Sequence, residues 1–192
     1  MRVSLILCSM PLLLSACAGG SSPVASVLEA SGLRKPAPLP EALLPPRRIS
    51  LHLHAGARLN LDARGQPLAL LVRIYKLRQR AAFEQAPYAA FLSPQAERDA
   101  LGADLLEAKE VMLVPGRRLD LDESMTCEAG WLGVVALFHT PAPQAWRLAF
   151  AAADAEKDGV TIGLHACAMS VGAGAAASAG GGVKVLSLVR CQ

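Results

Sequence analysis

Aromatic residues make up only 4% of this 192-residue chain, although 53% of it is hydrophobic. Any core it builds is therefore largely aliphatic, with Trp131 and Trp146 reading as core or rim packing. Charge is also scarce. Nineteen Lys+Arg against 16 Asp+Glu give a net +3, too little for the basic footprint of a nucleic-acid-binding domain. Beyond the first sixteen residues there is no long apolar run, so no later segment reads as a membrane span. Catalytic signatures are missing too. The chain has no G-x-S-x-G, no H-E-x-x-H and no glycine-rich phosphate loop ahead of a helix. Asp120, Asp122 and Glu123 read as carboxylates of a solvated strand face, and the cysteine spacing does not suit zinc. The chain reads as a non-enzyme that needs no cofactor.

What is present begins at the N-terminus. Arg2 precedes the uncharged run VSLILCSMPLLLSA, which has the length and flanks of a secretory signal. The run ends at Leu14-Ser15-Ala16-Cys17, which resembles the lipobox of bacterial lipoproteins. That resemblance implies a leader over residues 1–16, cleavage before Cys17 and diacylglycerol on its thiol. A second acyl group would make the anchor stable, since one chain alone binds membranes marginally. Ala18 stands where aspartate would imply inner-membrane retention, so the expected location is the outer membrane, facing the periplasm. Removing the leader takes one basic residue and leaves +2. Residues 17–47 are dominated by Gly, Ser, Pro and Ala, with a possible short helix at Val24 to Leu33, and read as a flexible tether. A coil of about 30 residues spans roughly 30 Å, or about 100 Å when fully stretched.

From residue 48 to 192 the pattern changes to short strands. RISLHLHA alternates Ile49, Leu51 and Leu53 with Ser50, His52 and His54. Turn residues Asn60, Asp62, Gly65 and Pro67 follow, then the strand LALLVRIYKL. Residues 80–106 form a helical insertion, with Ser93 as N-cap and Pro94 at the first helical position. Strands resume in AKEVMLVPG, RRLDLDE, GWLGVVALFHT, AWRLAFAA, GVTIGLHACAMSV and VKVLSLVRC. The last two are joined by the low-complexity loop GAGAAASAGGG at 172–182, expected to be mobile. Seven to eight short strands with turns between them indicate a mainly β domain, a β-sandwich with a small helical insertion. With Cys8 lost and Cys17 acylated, Cys127, Cys167 and Cys191 remain for an oxidising periplasm. Cys167 and Cys191 flank one predicted hairpin and are the preferred disulfide, although Cys127 can replace either.

At LNLDARGQPLALLVRIYKL the pattern becomes specific. Leu59-Asn60, Gly65, Pro67-Leu68, Val72-Arg73-Ile74-Tyr75 and Leu77 resemble the outer-membrane lipoprotein family of the bacterial type VI secretion system (TssJ type). Further matches follow in order: Phe83, Phe91-Leu92, Val114-Pro115-Gly116, Gly133 to Ala136, Phe138 and Trp146-Arg147. The order of these features behind a lipobox carries the resemblance. It implies a transthyretin-like or immunoglobulin-like sandwich that anchors the secretion membrane complex at the outer membrane. The implied partner is the periplasmic C-terminal domain of a large inner-membrane (TssM-type) protein. In the family the loop between the first two strands contributes to that contact. Here it comprises Leu59, Asn60, Leu61, Asp62, Ala63, Arg64, Gly65, Gln66 and Pro67, with Leu59 and Leu61 expected to be exposed. An alternative reading is a periplasmic lipoprotein that binds a metal through His52, His54 and His165, or inhibits an enzyme.

Overall fold

The structure, a computed structural model, describes residues 45–178 and Cys191. The leader, Cys17, the tether, the end of the Gly/Ala-rich loop and nearly all of the strand expected over VKVLSLVRC lie outside these residues. In chain order the elements are β1 (Arg47–Ala55), β2 (Leu70–Leu77), α1 (Ala81–Gln85), a 3-10 turn (Tyr88–Leu92), α2 (Pro94–Leu101) and a second 3-10 turn (Gly102–Asp104). Then come β3 (Leu105–Leu113), β4 (Arg118–Met125), β5 (Trp131–Ala136), β6 (Arg147–Ala151), α3 (Ala152–Asp158), β7 (Val160–Leu164) and β8 (Met169–Gly174).

The strands form two four-stranded sheets, ordered β4-β1-β7-β8 and β3-β2-β5-β6. All neighbours are antiparallel except β1 and β7, which run parallel from Leu51–Val160 to Ala55–Leu164. The fold is a β-sandwich. Its core follows from period-2 alternation: Ile49, Leu51 and Leu53 of β1 face Val72 and Ile74 of β2, Val134 of β5, and Leu148 and Phe150 of β6. Each such aliphatic side chain, fully buried, contributes about 1.5–3 kcal/mol.

The two sheets differ in what covers their outer faces. On the first, Ser50, His52 and His54 meet Asp122, Asp120 and Arg118 of β4 across the register. That face is polar and open, as alternation predicts. In the second sheet β2 and β5 are covered on both faces, because the helical insertion lies across them, while β3 stays largely exposed. Tyr75 and Leu77 are fully buried there. Tyr75, Phe83 and Phe91 stand 5.4–5.9 Å apart between centroids, and Trp146 lies edge-on to Phe91 at 5.5 Å and Tyr88 at 4.9 Å. The few aromatics are therefore concentrated in this one layer. Gly133 makes room for it, since a Cβ there would sit 2.9 Å from the Phe83 ring.

Polar groups fasten the insertion. Arg73 Nη1 donates to Glu97 Oε2 and to Phe91 O, both at 2.9 Å, and Arg73 Nε donates to Glu110 at 2.7 Å. The Tyr75 hydroxyl donates to the other Glu97 oxygen. Burial first, and then the Glu97 carboxylate, push the Tyr75 hydroxyl far above the ordinary phenol range. Arg147 Nη1 donates to the carbonyls of Phe83 and Ala86 at the C-terminus of α1. Ser93 caps α2 by accepting from Ala96 N, with Pro94 at the first helical position, as its sequence indicates. A second ionic group stitches the sheets together at one side: Glu123, 4% exposed, accepts from Lys109 at 2.7 Å and lies 3.8 Å from Lys76.

Three sequence expectations need correction. GVTIGLHACAMSV is not one strand but the β7–β8 hairpin, turning at residues 165–168, so Cys167 sits in a turn. The helix α3 over AADAEKD was not anticipated; it ends at Gly159, whose φ of 67° terminates it. The start of the Gly/Ala-rich loop is docked, not loose. β8 extends through Gly174, and the amides of Ala175 and Ser178 donate to Gly159 O and Ala149 O. Gly174 is required, because any Cβ would sit 2.5 Å from Gly159 O.

Candidate partner-binding surface

The connection from β1 to β2 crosses between the sheets and folds into a tight hairpin. Leu61 and Pro67 form an isolated antiparallel bridge. Asp62 N–H donates to Gln66 O, and Gly65 N–H donates to Asp62 O, both at 3.0 Å. Asp62 Oδ1 accepts from the amides of Arg64 and Gln66 at 2.8 Å each. Gly65 supplies the positive φ, 72°, that closes the turn. The tip therefore has its conformation fixed locally and presents Ala63, Arg64, Gly65, Gln66 and Pro67 to solvent.

The base of the loop is pinned from three directions. Asn60 occupies the left-handed region at φ 47°, which Asn tolerates better than most residues. Its side chain donates to Ala69 O at 2.9 Å and accepts from His139 N at 2.7 Å. The amides of Asn60 and Leu61 donate to His165 O and Ala166 O. Gly116 N–H donates to Gly56 O, and Ala55 N–H to Arg117 O. The loops at 56–69, 114–117, 137–146 and 165–168 thus share one end of the sandwich. The chain enters at the other end, through Pro45 and Arg47, where Cys127 Sγ lies 3.6 Å from Pro45 O. Nine-residue β1 joins the two ends, a span of roughly 30 Å.

The nine residues of the sequence-predicted binding loop do not behave alike. Leu59 is 0% exposed and Asn60 6%. Leu59 belongs to the hydrophobic core, because the loop folds back over the open end of the sandwich, and the expectation that it is exposed is wrong. Leu61 and Asp62 are half-buried. What the sequence reading missed is the company this tip keeps. Leu68 at 38% and Val114 at 54% exposure are large apolar residues left uncovered at the same end. Arg117 and Arg118 stand beside the root of the loop, through the Ala55–Arg117 bond and the His54–Arg118 pair. The Pro115-Gly116 turn was legible, but its position against Gly56 was not.

The cysteine and histidine candidates also have definite places. Cys167 is bonded to Cys191, with Cα atoms 5.6 Å apart, and Cys127 is a free thiol. The Cys167 carbonyl accepts from Ala142 N at 2.8 Å, so the disulfide joins the C-terminal segment to this same loop end. His52 Nδ1 pairs with Asp120 Oδ1 at 2.6 Å on the open face of the first sheet, and His165 Nε2 contacts Ser170 Oγ at 2.8 Å. Burial pushes the His165 imidazole below its ordinary value. Tyr88 donates to Phe138 O at 2.6 Å, and burial raises its hydroxyl to about 12, so it stays a donor throughout the physiological range. Among the described residues no three His, Cys, Asp or Glu side chains come together as a metal site.

The loop end thus combines a stiff polar tip, an apolar margin and a network of backbone bonds behind them. Comparison with known proteins identifies the family. The family described as "Type VI secretion lipoprotein, VasD, EvfM, TssJ" matches residues 47–167. The lipoprotein TssJ1 of Pseudomonas aeruginosa is similar at 31% identity and a TM-score of 0.60, over 67% of this chain and 97% of that one. A chain of a type VI membrane complex matches at 26% identity and a TM-score of 0.60, over 65% and 97%. A chain in a structure of the TssM C-terminal domain from EAEC matches at 26% and 0.57, over the same shares. A comparison with curated proteins gives no match. From β1 to the β7–β8 turn, across both sheets and the helical insertion, this chain belongs to the type VI secretion lipoprotein family of TssJ and VasD.

Proposed function

We propose that the chain anchors a type VI secretion membrane complex at the outer membrane. Acylated Cys17 holds it to the inner leaflet, and residues 61–67 grip the periplasmic C-terminal domain of a TssM-type inner-membrane protein. The observation that carries this reading is the polarity of the sandwich. The chain comes in from the tether at one end, and the locally fixed hairpin projects from the other. In a lipid-anchored domain of this shape the tether leaves from the end opposite the loops, so the loops stay unobstructed and free to meet a partner that crosses the periplasm. Similarity to chains in a type VI membrane complex and in a TssM C-terminal domain structure supports the choice of partner. The role is mechanical and not chemical. Anchoring confines the domain to a surface and raises its effective concentration near the partner.

The test is binding of a soluble form lacking the leader and Cys17 to the cognate periplasmic domain, beside a variant with Ala63 to Gln66 replaced by Gly and Ser. Loss of binding in the variant alone, with its unfolding midpoint kept, supports both role and site. Binding by both moves the site elsewhere. Secretion by cells carrying only Cys17→Ser would remove the anchoring part.

A further inference from the structure

The charge at the two ends of the sandwich is distributed unevenly. At the end where the chain enters, most cations are paired: Arg47 lies 3.4 Å from Glu156, and Arg78 and Arg80 pair with Glu128 and Glu84, while Arg48 has no such partner among the described residues. Between the ends, Arg73, Lys76 and Lys109 are held by Glu97, Glu107, Glu110 and Glu123. At the loop end, Arg58 and Arg64 of the β1–β2 loop, Arg117 of the β3–β4 turn and Arg118 opening β4 are all exposed. None of the four has a carboxylate within 4.0 Å among the described residues; Arg48, Arg98, Arg147 and Lys157 also lack one, but they are scattered and not gathered at one end. The four loops there carry a single acid, Asp62, whose Oδ1 already accepts two backbone amides. Asp120, two residues along β4 from Arg118, holds His52 instead. The exposed Leu68 and Val114 belong to the same two loops as Arg58, Arg64 and Arg117.

Exposed apolar side chains and unpaired guanidinium groups sharing one end suit a protein–protein interface, where arginine is favoured because its planar fork pairs with carboxylates. We propose that this loop end is a basic docking face for an acidic protein surface, with the four arginines steering its approach and Leu68 and Val114 forming the dry contact. The proposal rests on the partner reading above and adds the chemistry of the partner's face: carboxylates ringing an apolar patch. The occupant is assigned to a protein surface because the arginines accompany exposed apolar side chains on a locally fixed hairpin continuous with the proposed partner site, and the vesicle measurement below tests a lipid headgroup layer against it. Charge steering acts chiefly on association, where it is worth about 10- to 1,000-fold at low salt.

The experiment measures association and dissociation rates of the full chain, purified in non-ionic detergent, with the cognate TssM-type periplasmic domain at 50, 150 and 500 mM salt. It compares the unaltered chain with R58E/R64E/R117E/R118E and with the four-lysine counterpart. The expected result is an association rate at least 10-fold lower for the glutamate variant at 50 mM, with the gap closing at 500 mM as screening shortens the range of the field. The lysine variant should associate like the parent. Equal rates and equal salt slopes for parent and glutamate variant, with binding intact, overturn the proposal and leave the partner assignment standing. Absence of binding by the unaltered chain overturns the partner assignment and this proposal with it. If the glutamate variant loses its fold, the lysine variant and the parent's own salt slope decide, and a flat slope for both refutes steering. Flotation with phosphatidylglycerol vesicles completes the set: arginine-dependent vesicle binding without an effect on partner association would make the face a lipid site and overturn the proposal.

Discussion

Asn60 is the residue on which the geometry of the loop end turns, and replacing it gives a quantitative test. Asn60→Ala removes two hydrogen bonds, to Ala69 O and from His139 N, in a place that is 6% exposed. Leaving each of the two backbone groups without its partner costs about 1–3 kcal/mol. Alanine must also hold φ near 47°, adding roughly 1 kcal/mol. Allowing for partial rehydration of the two groups at this margin of the domain, the expected loss is about 3 kcal/mol. Asn60→Gly isolates the backbone contribution, because glycine adopts this φ freely but makes neither bond. Its lower strain is partly offset by the larger entropy glycine loses on folding, so it should retain up to about 1 kcal/mol relative to alanine. Asn60→Asp keeps an acceptor for His139 N but sets a carboxylate oxygen against Ala69 O, and it should be no more stable than Asn60→Gly. Urea unfolding of the soluble domain reads all three, with unchanged slopes confirming a common unfolded state. Partner affinity should fall in all three variants, although Asn60 itself has almost no surface to offer. A loss below about 1 kcal/mol for Asn60→Ala would refute the claim that this side chain pins the loop.

Three further outcomes are expected. Reducing the Cys167–Cys191 disulfide, or replacing both cysteines by serine, should lower stability by about 3 kcal/mol for a closed segment of this length, read as a drop in the urea midpoint against the oxidised protein. The depressed His165 pKa stabilises the fold above the unfolded-state value near 6.5, and that stability is lost as pH falls from about 6.5 through the lower folded value; His165→Gln should flatten this acid-side decline in a pH series of thermal midpoints. Glu97→Gln should cost about 3 kcal/mol, because it leaves the Arg73 guanidinium, 11% exposed, without the charge that faces it from α2; thermal unfolding in low and high salt should show nearly the same loss, as befits a pair shielded from solvent.

Much of the fold was legible because one-sided burial leaves a trace in sequence. RISLHLHA alternates because β1 has a core face and an open polar face, and the structure places Ile49, Leu51 and Leu53 inward as that pattern requires. Ser93-Pro94 announced α2 because capping is local chemistry. The misreadings have non-local causes. LALLVRIYKL read as a strand, yet nothing in its spacing says that Phe83 and Phe91 will return to cover Tyr75 and Leu77. α3 is short and rich in alanine, which suits either face of a helix and erases the period. Leu59 looked like a loop residue because its burial comes from the fold-back of the loop and not from a strand. The grouping of Arg58, Arg64, Arg117 and Arg118 arises only when the β3–β4 turn meets Gly56, so the basic face was invisible in a chain whose net charge is nearly neutral.

The path of β1 has a mechanical consequence. A pull between the point where the chain enters the domain and the loop end acts along this one strand, from Arg47 toward Ala55. β1 is an interior strand, held by β4 from Arg47–Met125 to His54–Arg118 and by β7 from Leu51–Val160 to Ala55–Leu164. Tension between those two points is therefore carried by the covalent backbone of β1, which at about 3.3 Å per residue is already near full extension, so the ladder bonds to β4 and β7 bear little of it. A strand pulled sideways from a sheet edge would instead unzip one bond at a time. The domain is thus built as a tension member, able to carry load between its two ends at far higher force than a peeled hairpin would bear.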